Sequence, residues 1–147
     1  NLTITESQIS MSATERRSRQ LTAREGQEIG TTRDMAGQAP YIINTGIAYS
    51  DFNTGWEAGI YYNVQGPTLN MVGFGNRTDT YAVPFNSLNV NINKTFGADE
   101  RIRASFGVQN LLNDKREFIF SSYGAQDQFF TQLAPGVRAN FSLGFSF

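Results

Sequence analysis

Large apolar side chains recur at every second position along several stretches of this chain, with polar or small side chains between them. In the last stretch, PGVRANFSLGFSF (135–147), alternate positions from Val137 to Phe147 are apolar, and those from Arg138 to Ser146 are polar or small. Successive side chains of a strand point to opposite faces. The pattern therefore predicts a strand with one apolar face and one polar face.

The same period of two appears in four other stretches and, less regularly, near the N-terminus. These stretches are YIINTGIAYS (41–50), GWEAGIYYNVQG (55–66), SLNVNINKTF (87–96), RIRASFGVQN (101–110) and NLTITESQISMS (1–12). In the N-terminal stretch the apolar positions change phase, which predicts a bulge or kink near Glu6. We predict an all-β chain of about six antiparallel strands and no helix.

The connections between these strands alternate between short and long. Residues 51–55 and 97–100 are short turns rich in Gly, Asn and Asp, whereas 13–37, 67–84 and 113–134 are long excursions. Strands of about ten residues with short turns at one end and long loops at the other are typical of a transmembrane up-and-down β-barrel. This arrangement favours lipid outside the apolar face and water on the polar face.

Aromatic residues are predicted to gather at both ends of the strands, as they do at the two lipid interfaces of a membrane barrel. The set at the short-turn end is Tyr49, Phe52, Trp56, Phe96 and Phe147; the set at the long-loop end is Tyr41, Tyr62, Tyr81, Phe85, Phe118 and Phe120. Any antiparallel barrel also carries aromatic residues in its strands, so the loop lengths are needed to support this interpretation.

Composition narrows the function classes. The net charge is −1, and neither Cys nor His occurs, so neither a basic nucleic-acid surface nor a thiolate or histidine site is expected. The carboxylates Asp99 and Glu100 fall in a predicted tight turn, where turn formation explains them. We predict no enzymatic activity, no cofactor and no metal site. No apolar run is long enough for a membrane helix, and the first residues lack the pattern of an export signal.

Four stretches resemble the last strands of TonB-dependent outer-membrane receptors of the type found in Bacteroidetes. They are GQAPYIINTGIAY (37–49), YNVQG (62–66), VQNLLND (108–114) and the terminal FSLGFSF (141–147). The resemblance covers essentially the whole chain. It implies the final six strands of a roughly 22-stranded barrel that is closed by a plug, with import driven by the TonB complex.

The resemblance also implies partners and a location. The chain would lie in the bacterial outer membrane, with the C-terminus periplasmic and the long loops extracellular. It would contact outer-membrane lipid, the rest of the receptor including its plug and, at the outer rim, a surface lipoprotein lid. Phe141, Phe145 and Phe147 look like the signal that the barrel-assembly machinery recognises. Six strands cannot close a membrane barrel, so residues 1–147 are expected to be a portion of a larger receptor or one part of a multi-chain barrel.

Three groups of side chains are candidate sites. Arg16, Arg17, Arg19 and Arg24 would hold an anionic ligand, although interspersed acids also fit a solvated loop. Phe118, Phe120 and Tyr123 would stack against a substrate ring or a lipoprotein lid, or pack among the loops. Arg101, Arg103, Arg138, Asn89 and Asn91 are predicted on the hydrated inner wall, where the arginines would pair with plug carboxylates.

Two functions therefore follow from the sequence. The first is TonB-dependent transport of a nutrient such as a glycan, a peptide or a siderophore, with this chain forming part of the barrel wall and outer loops. The alternative is a soluble calycin-like barrel whose apolar faces enclose a small lipophilic ligand. A small closed membrane barrel would require eight strands where the pattern predicts six.

Overall fold

A computed structural model of the chain describes residues 1–97 and 101–146. Along the described chain the elements are β1 (Leu2–Ile4), β2 (Gln8–Ser10), α1 (Ala13–Leu21), β3 (Thr32–Asp34), β4 (Tyr41–Asp51), β5 (Trp56–Gln65), β6 (Thr68–Met71), β7 (Asp79–Ala82), β8 (Phe85–Phe96), β9 (Ile102–Gln109), β10 (Arg116–Ser121), β11 (Gln128–Leu133) and β12 (Arg138–Phe145). All of the strand pairs are antiparallel, which confirms the all-β prediction.

Five of the predicted strands and the first part of the N-terminal one, Leu2–Ile4, form one sheet, called the main sheet here. The second part, Gln8–Ser10, pairs in a separate two-stranded sheet. The order of the main sheet is β1-β4-β5-β8-β9-β12, so neighbouring strands in space follow each other along the chain once the loops are set aside. The described residues form an open sheet whose two edges are β1 and β12, and not a closed barrel. The predicted kink near Glu6 lies where β1 ends at Ile4 and β2 begins at Gln8.

The register of the main sheet places the alternating apolar side chains of neighbouring strands on the same face. Ile47, Ile60, Val90, Val108 and Ala139 stand opposite one another in a single row across five strands. The next row, on the other face, contains Ala48, Gly59, Asn91, Gly107 and Asn140. A slip of one residue in any strand would move its polar residues onto the apolar face, so the alternation specifies the register.

The long loops fold into a second sheet, called the loop sheet here, of order β11-β10-β7-β6. Each of its strands continues a main-sheet strand through a bend, at 66–67, 83–84, 110–115 and 134–137. Three of these bends contain a proline, which cannot donate a backbone hydrogen bond to a sheet. The sequence pattern missed these four strands because they are short and irregular.

The first loop contains the hairpin β2–β3 and the helix α1, so the prediction of no helix was wrong. Ser12 caps the helix by accepting a hydrogen bond from the Glu15 backbone N–H at 3.1 Å. Glu15 and Arg19 form an ion pair one turn apart at 3.4 Å. No residue of α1 is buried, so the helix has no apolar stripe that a periodicity search could detect.

The bend at 110–115, part of the NLLND stretch, joins the two sheets. Asn110 and Asn113 have φ values of 51° and 54°, in the left-handed region that asparagine tolerates best after glycine. The buried Asn110 side chain donates to the Asp114 and Gly136 carbonyls, both at 3.1 Å, and its backbone N–H donates to Asn89 Oδ1 at 3.1 Å. This bend therefore holds β8, β9 and β12 in a defined geometry.

Apolar burial is sparse in the described chain. Ala39, Val64 and Leu69 are the buried hydrophobic residues found there. Of the predicted long-loop aromatics, Phe85 lies on the polar face, and Tyr81, Phe118 and Phe120 lie in the loop sheet, so that second aromatic set does not form one band. None of the helical segments in residues 1–97 and 101–146 has the length and apolarity needed to span a membrane.

Candidate functional site

Every strand of the main sheet presents exposed side chains on the apolar face, although Val64 on β5 is buried. Ile47 is 79% exposed, and Phe141 and Phe145 near the C-terminus are 70% and 60% exposed. The exposed apolar side chains on this face are Leu2, Ile4, Ile47, Tyr49, Trp56, Ile60, Ile92, Phe96, Ile102, Phe106, Phe141, Leu143 and Phe145. Exposed apolar surfaces of this extent are found at contacts with membranes, with ligands and with other protein surfaces. Phe147, the third residue of the predicted assembly signal, lies outside the described residues, as do Asp99 and Glu100.

At the short-turn end, this face combines aromatic rings with a lysine. Lys94 Nζ lies 5.0 Å from the centre of the Trp56 ring and 5.6 Å from that of Phe96. The same amine donates to the Thr54 carbonyl in the β4–β5 turn. The lysine stem thus lies along the apolar face while its charged end reaches polar backbone in the turn.

The opposite, polar face carries a groove of about 640 Å³. Its floor is formed by amides on neighbouring strands, including Asn89, Asn91 and Asn140, and Tyr61 stands beside them. Two arginines reach its rim: Arg138 at the start of β12, and Arg116, whose guanidinium lies 4.6 Å from the centre of the Phe85 ring. The groove offers hydrogen-bond donors, acceptors, a positive rim and aromatic edges.

Glycines in the main sheet allow the floor of this groove to pack. A Cβ at Gly59 would lie 2.6 Å from Asn91 Oδ1, and one at Gly107 would lie 2.6 Å from Asn140 Oδ1. The Tyr61 ring covers Gly59 from the other side. Any larger residue at either glycine would displace the amide that lies over it, so these glycines position the polar floor.

The predicted inner-wall residues are divided between two places. Asn89, Asn91 and Arg138 line the groove together. Arg103 stands nearer the short-turn end, where its guanidinium donates to Glu57 Oε2 at 2.5 Å. Arg101 comes directly before β9, and its carbonyl accepts a hydrogen bond from the Ser146 N–H at 2.9 Å.

Two residues at the groove were missed by the sequence analysis. Phe85 begins β8 on the polar face, and Arg116 begins β10 just after the bend. The alternation of residues 87–96 extends back to Phe85 and could have placed it on the polar face. No sequence signal could have placed Arg116, because its position depends on the fold of the bend.

A second hollow, of about 270 Å³, lies where the three long loops meet and is called the loop crevice here. Arg19 on α1 reaches the start of β7 and donates two hydrogen bonds to the Asp79 carboxylate, at 2.9 and 3.1 Å. Tyr123, between β10 and β11, donates its hydroxyl to the Gly26 carbonyl at 3.0 Å. Hydrogen bonding to Asp79 raises the pKa of Arg19 above its ordinary value, against the opposing effect of burial.

The predicted ligand residues of the loops do not form one site. Arg19, Arg24 and Tyr123 line the loop crevice. Arg16 and Arg17 are exposed on α1 and do not belong to its lining. Phe118 lines a different hollow, of about 300 Å³, and Phe120 makes an edge-to-face contact with Phe130 at 5.1 Å between ring centres.

The sequence analysis also missed Arg77, which lines the loop crevice from the β6–β7 connection. It is a single arginine in a stretch rich in Gly, Asn and Thr, so no charge pattern singled it out.

Among residues 1–97 and 101–146, no group of three or more Asp, Glu, His or Cys is placed to hold a metal ion. Comparison with protein-family models, with curated proteins and with solved structures finds no match.

Proposed function

We propose that this chain is part of the wall and outer loops of a TonB-dependent outer-membrane transporter that imports a nutrient. In this proposal the main sheet spans the outer membrane, with its apolar face in lipid and its polar face toward a hydrated lumen. The loop sheet and α1 project to the extracellular side, and the short turns face the periplasm. The remaining strands and the plug belong to the rest of the receptor.

The observation that carries the proposal is the exposure of the apolar face. Thirteen large apolar side chains of the main sheet are exposed on that face, whereas three hydrophobic residues are buried in the described chain. In water this surface would be costly, at roughly 25 cal/mol for each Å² of apolar area. In a bilayer the same surface is solvated by lipid, and the polar groups lie on the opposite face.

The two open edges of the main sheet support a larger barrel. Backbone N–H and C=O groups cannot remain unpaired in hydrocarbon, so β1 and β12 need further strands beside them if the sheet lies in a membrane. The soluble calycin-like alternative requires the apolar face to enclose a ligand inside a closed barrel. An open sheet with this face outward gives that alternative less support.

A nitroxide scan of β12 in the intact native protein, reconstituted in bilayers, tests the membrane orientation. Single cysteines, introduced from residue 141 to residue 145 in a background without other cysteines, would carry the label. We expect collisions with dissolved oxygen to be most frequent at odd positions, which face lipid, and collisions with a water-soluble nickel chelate at even positions. Uniform accessibility, or the opposite phase, would exclude this orientation.

Transport requires a separate test, because other membrane barrels share this wall. The intact mass of the native polypeptide should be several times 16.3 kDa, and the full-length protein in detergent should capture the purified periplasmic domain of TonB. A native mass near that of these residues, or failure to capture TonB, would reject the transporter assignment. The result of the nitroxide scan would stand in either case.

A further inference from the structure

Two arginines in the loop crevice have no partner in the described chain. Arg24, after α1, and Arg77, between β6 and β7, both line the crevice. Within residues 1–97 and 101–146, neither guanidinium makes a hydrogen bond or an ion pair, although the Arg24 backbone N–H donates to Gln27 Oε1 at 3.1 Å. Both residues are exposed, and their ten guanidinium N–H donors have no acceptor in the described chain.

The other charges of the crevice cancel. Asp79 lines it, but both of its carboxylate oxygens accept from the Arg19 guanidinium, and Oδ1 also accepts from the Gly73 N–H at 2.7 Å. Arg19 Nε lies 3.4 Å from Glu15 Oε1 as well. The lining therefore contains three arginines and one aspartate, and the uncompensated charge is that of Arg24 and Arg77.

Neutral donors surround these two charges. The hydroxyls of Thr78, Ser121 and Ser122 line the same crevice and have no hydrogen-bond partner in the described chain. Hydroxyls can donate to an oxyanion and also accept from sugar hydroxyls. Ser121 and Ser122 come from the third long loop, Arg77 and Thr78 from the second, and Arg24 from the first.

We propose that the loop crevice binds the phosphate group of a phosphorylated sugar. Forked guanidinium donors match the oxygens of a tetrahedral anion, and free hydroxyls complete the shell. A hollow of about 270 Å³ has space for a sugar ring beside the phosphate. Because the residues that would contact the phosphate come from all three loops, a bound ligand would link those loops. The site is argued from the crevice alone and does not depend on the transport proposal.

Binding of glucose 1-phosphate to the intact native protein in detergent tests the site, with titration calorimetry as the measurement. The double variant R24Q/R77Q removes both unpaired guanidiniums, and R16Q/R17Q removes the same charge from two exposed residues of α1 that do not line the crevice. We expect at least about a tenfold loss of affinity for R24Q/R77Q and less than about a twofold change for R16Q/R17Q. Equal losses in the two variants, or no saturable binding by the native protein, would overturn the proposal.

The unfolding midpoint of each variant, measured on the same samples, serves as the control for folding. The side chains of Arg24 and Arg77 make no hydrogen bond, ion pair or ring contact in the described chain, so the unfolding midpoint of R24Q/R77Q should match that of the native protein. A third variant, R24K/R77K, keeps both charges but loses the forked geometry. It should bind more weakly than the native protein, and native-level affinity would overturn the role of the guanidinium forks.

The phosphate could come from a soluble sugar phosphate or from the headgroup of an outer-leaflet lipid, and a second arm distinguishes these sources. Nanodiscs of phosphatidylcholine containing diphosphorylated lipid A are compared with nanodiscs containing its dephosphorylated form. Displacement of glucose 1-phosphate by the phosphorylated form alone would support the lipid source. Unchanged binding in both would support a soluble sugar phosphate, and equal displacement by both would overturn recognition of the phosphate.

Discussion

The main sheet and the loop region are built from the same hairpins, yet they are stabilised in opposite ways. In the main sheet, large apolar side chains such as Ile47 and Phe141 are exposed, and the backbone ladder holds the strands together. Beyond the bends, Leu69 and Thr80 are each 2% exposed, and ion pairs link α1 to its neighbours. Part of the loop region thus buries its side chains, whereas most large apolar side chains of the main sheet are exposed, with Val64 on β5 as an exception.

The two regions differ in which side chains are covered. In the loop sheet, Leu69 is buried and Tyr81 is half-buried beneath the first loop, whereas β11 is exposed along its whole length. The main-sheet strands place their apolar residues on the uncovered face and cover their polar face with amides, as Asn91 covers Gly59. In the proposed transporter, the four bends would lie at the outer edge of the membrane.

A lysine on the exposed apolar face is expected to have the largest effect on stability. Leu143 and Ser142 are neighbours on β12, both are exposed, and they stand on opposite faces of the sheet. We expect Leu143→Lys to destabilise the intact protein in bilayers by about 3 kcal/mol, because the amine would lie in hydrocarbon. Ser142→Lys should cost less than about 0.5 kcal/mol. The folded fraction in a urea titration of lipid-inserted protein measures both variants.

These two variants also separate the membrane interpretation from a water-exposed sheet. An exposed leucine in water tolerates replacement by lysine with little change in stability. Similar urea midpoints for Leu143→Lys and Ser142→Lys would therefore contradict lipid contact at this face. A loss confined to Ser142→Lys would place lipid on the other face.

Truncation of the buried Leu69 tests whether the loop sheet is stabilised separately from the main sheet. Leu69 is the largest fully buried hydrophobic side chain of the described residues, and its carbonyl accepts from the Gly37 N–H at 2.8 Å. Leu69→Ala should cost about 2 kcal/mol, raising amide exchange in β6, β7 and β10 about thirtyfold. Exchange in the centre of β5 and β8 should not change. Met71→Ala, at a site that is 50% exposed, is the matched control.

If Leu69→Ala accelerated exchange equally in both sheets, the two regions would unfold as one unit. The loop sheet would then not be stabilised independently of the main sheet. Equal acceleration by Met71→Ala and Leu69→Ala would show that burial of Leu69 contributes nothing special to the loop sheet.

The fold was predictable where periodicity carries it. Alternation predicted the strands of the main sheet. It also predicted which side chains share its apolar face, such as the row from Ile47 to Ala139. It could not give α1, whose stability comes from the Ser12 cap and the Glu15–Arg19 pair and not from an apolar stripe. The loop strands escaped for a related reason: the ladders from Leu69 to Met71 and at Phe118 are interrupted by bulges.

The candidate sites were less predictable than the fold. Asn89 and Asn91 could be assigned to the polar face because strand geometry fixes their direction. Arg24 and Tyr123 are 99 residues apart in the sequence, and the crevice that they share depends on how three loops pack. A cluster of arginines in sequence also suggested one site, whereas Arg19 is neutralised by Asp79 and Arg16 lies on the exposed side of the helix.

The smallest effect is expected at the bend that separates the two regions, and it depends on pH. Burial raises the pKa of Asp114, but hydrogen bonds from the Asn86 backbone and side chain, at 2.7 and 3.1 Å, outweigh it and leave the pKa below its ordinary value of 3.8. A lowered pKa means that the carboxylate stabilises the fold fully above about pH 4 and loses this contribution as the pH falls through the folded-state pKa.

Amide exchange at residues 110–115 of the intact protein, measured from neutral pH downward and corrected for the intrinsic pH dependence of exchange, checks this prediction. The native protein should open more often below about pH 4, by less than about tenfold, whereas Asp114→Asn should be more open throughout and show no acid step. Asp127→Asn, at an exposed position between β10 and β11, should keep the native profile. An acid step that persisted in Asp114→Asn would assign the pH sensitivity of the bend to another group, and the hydrogen bonds from Asn86 would then not control the junction between the sheets.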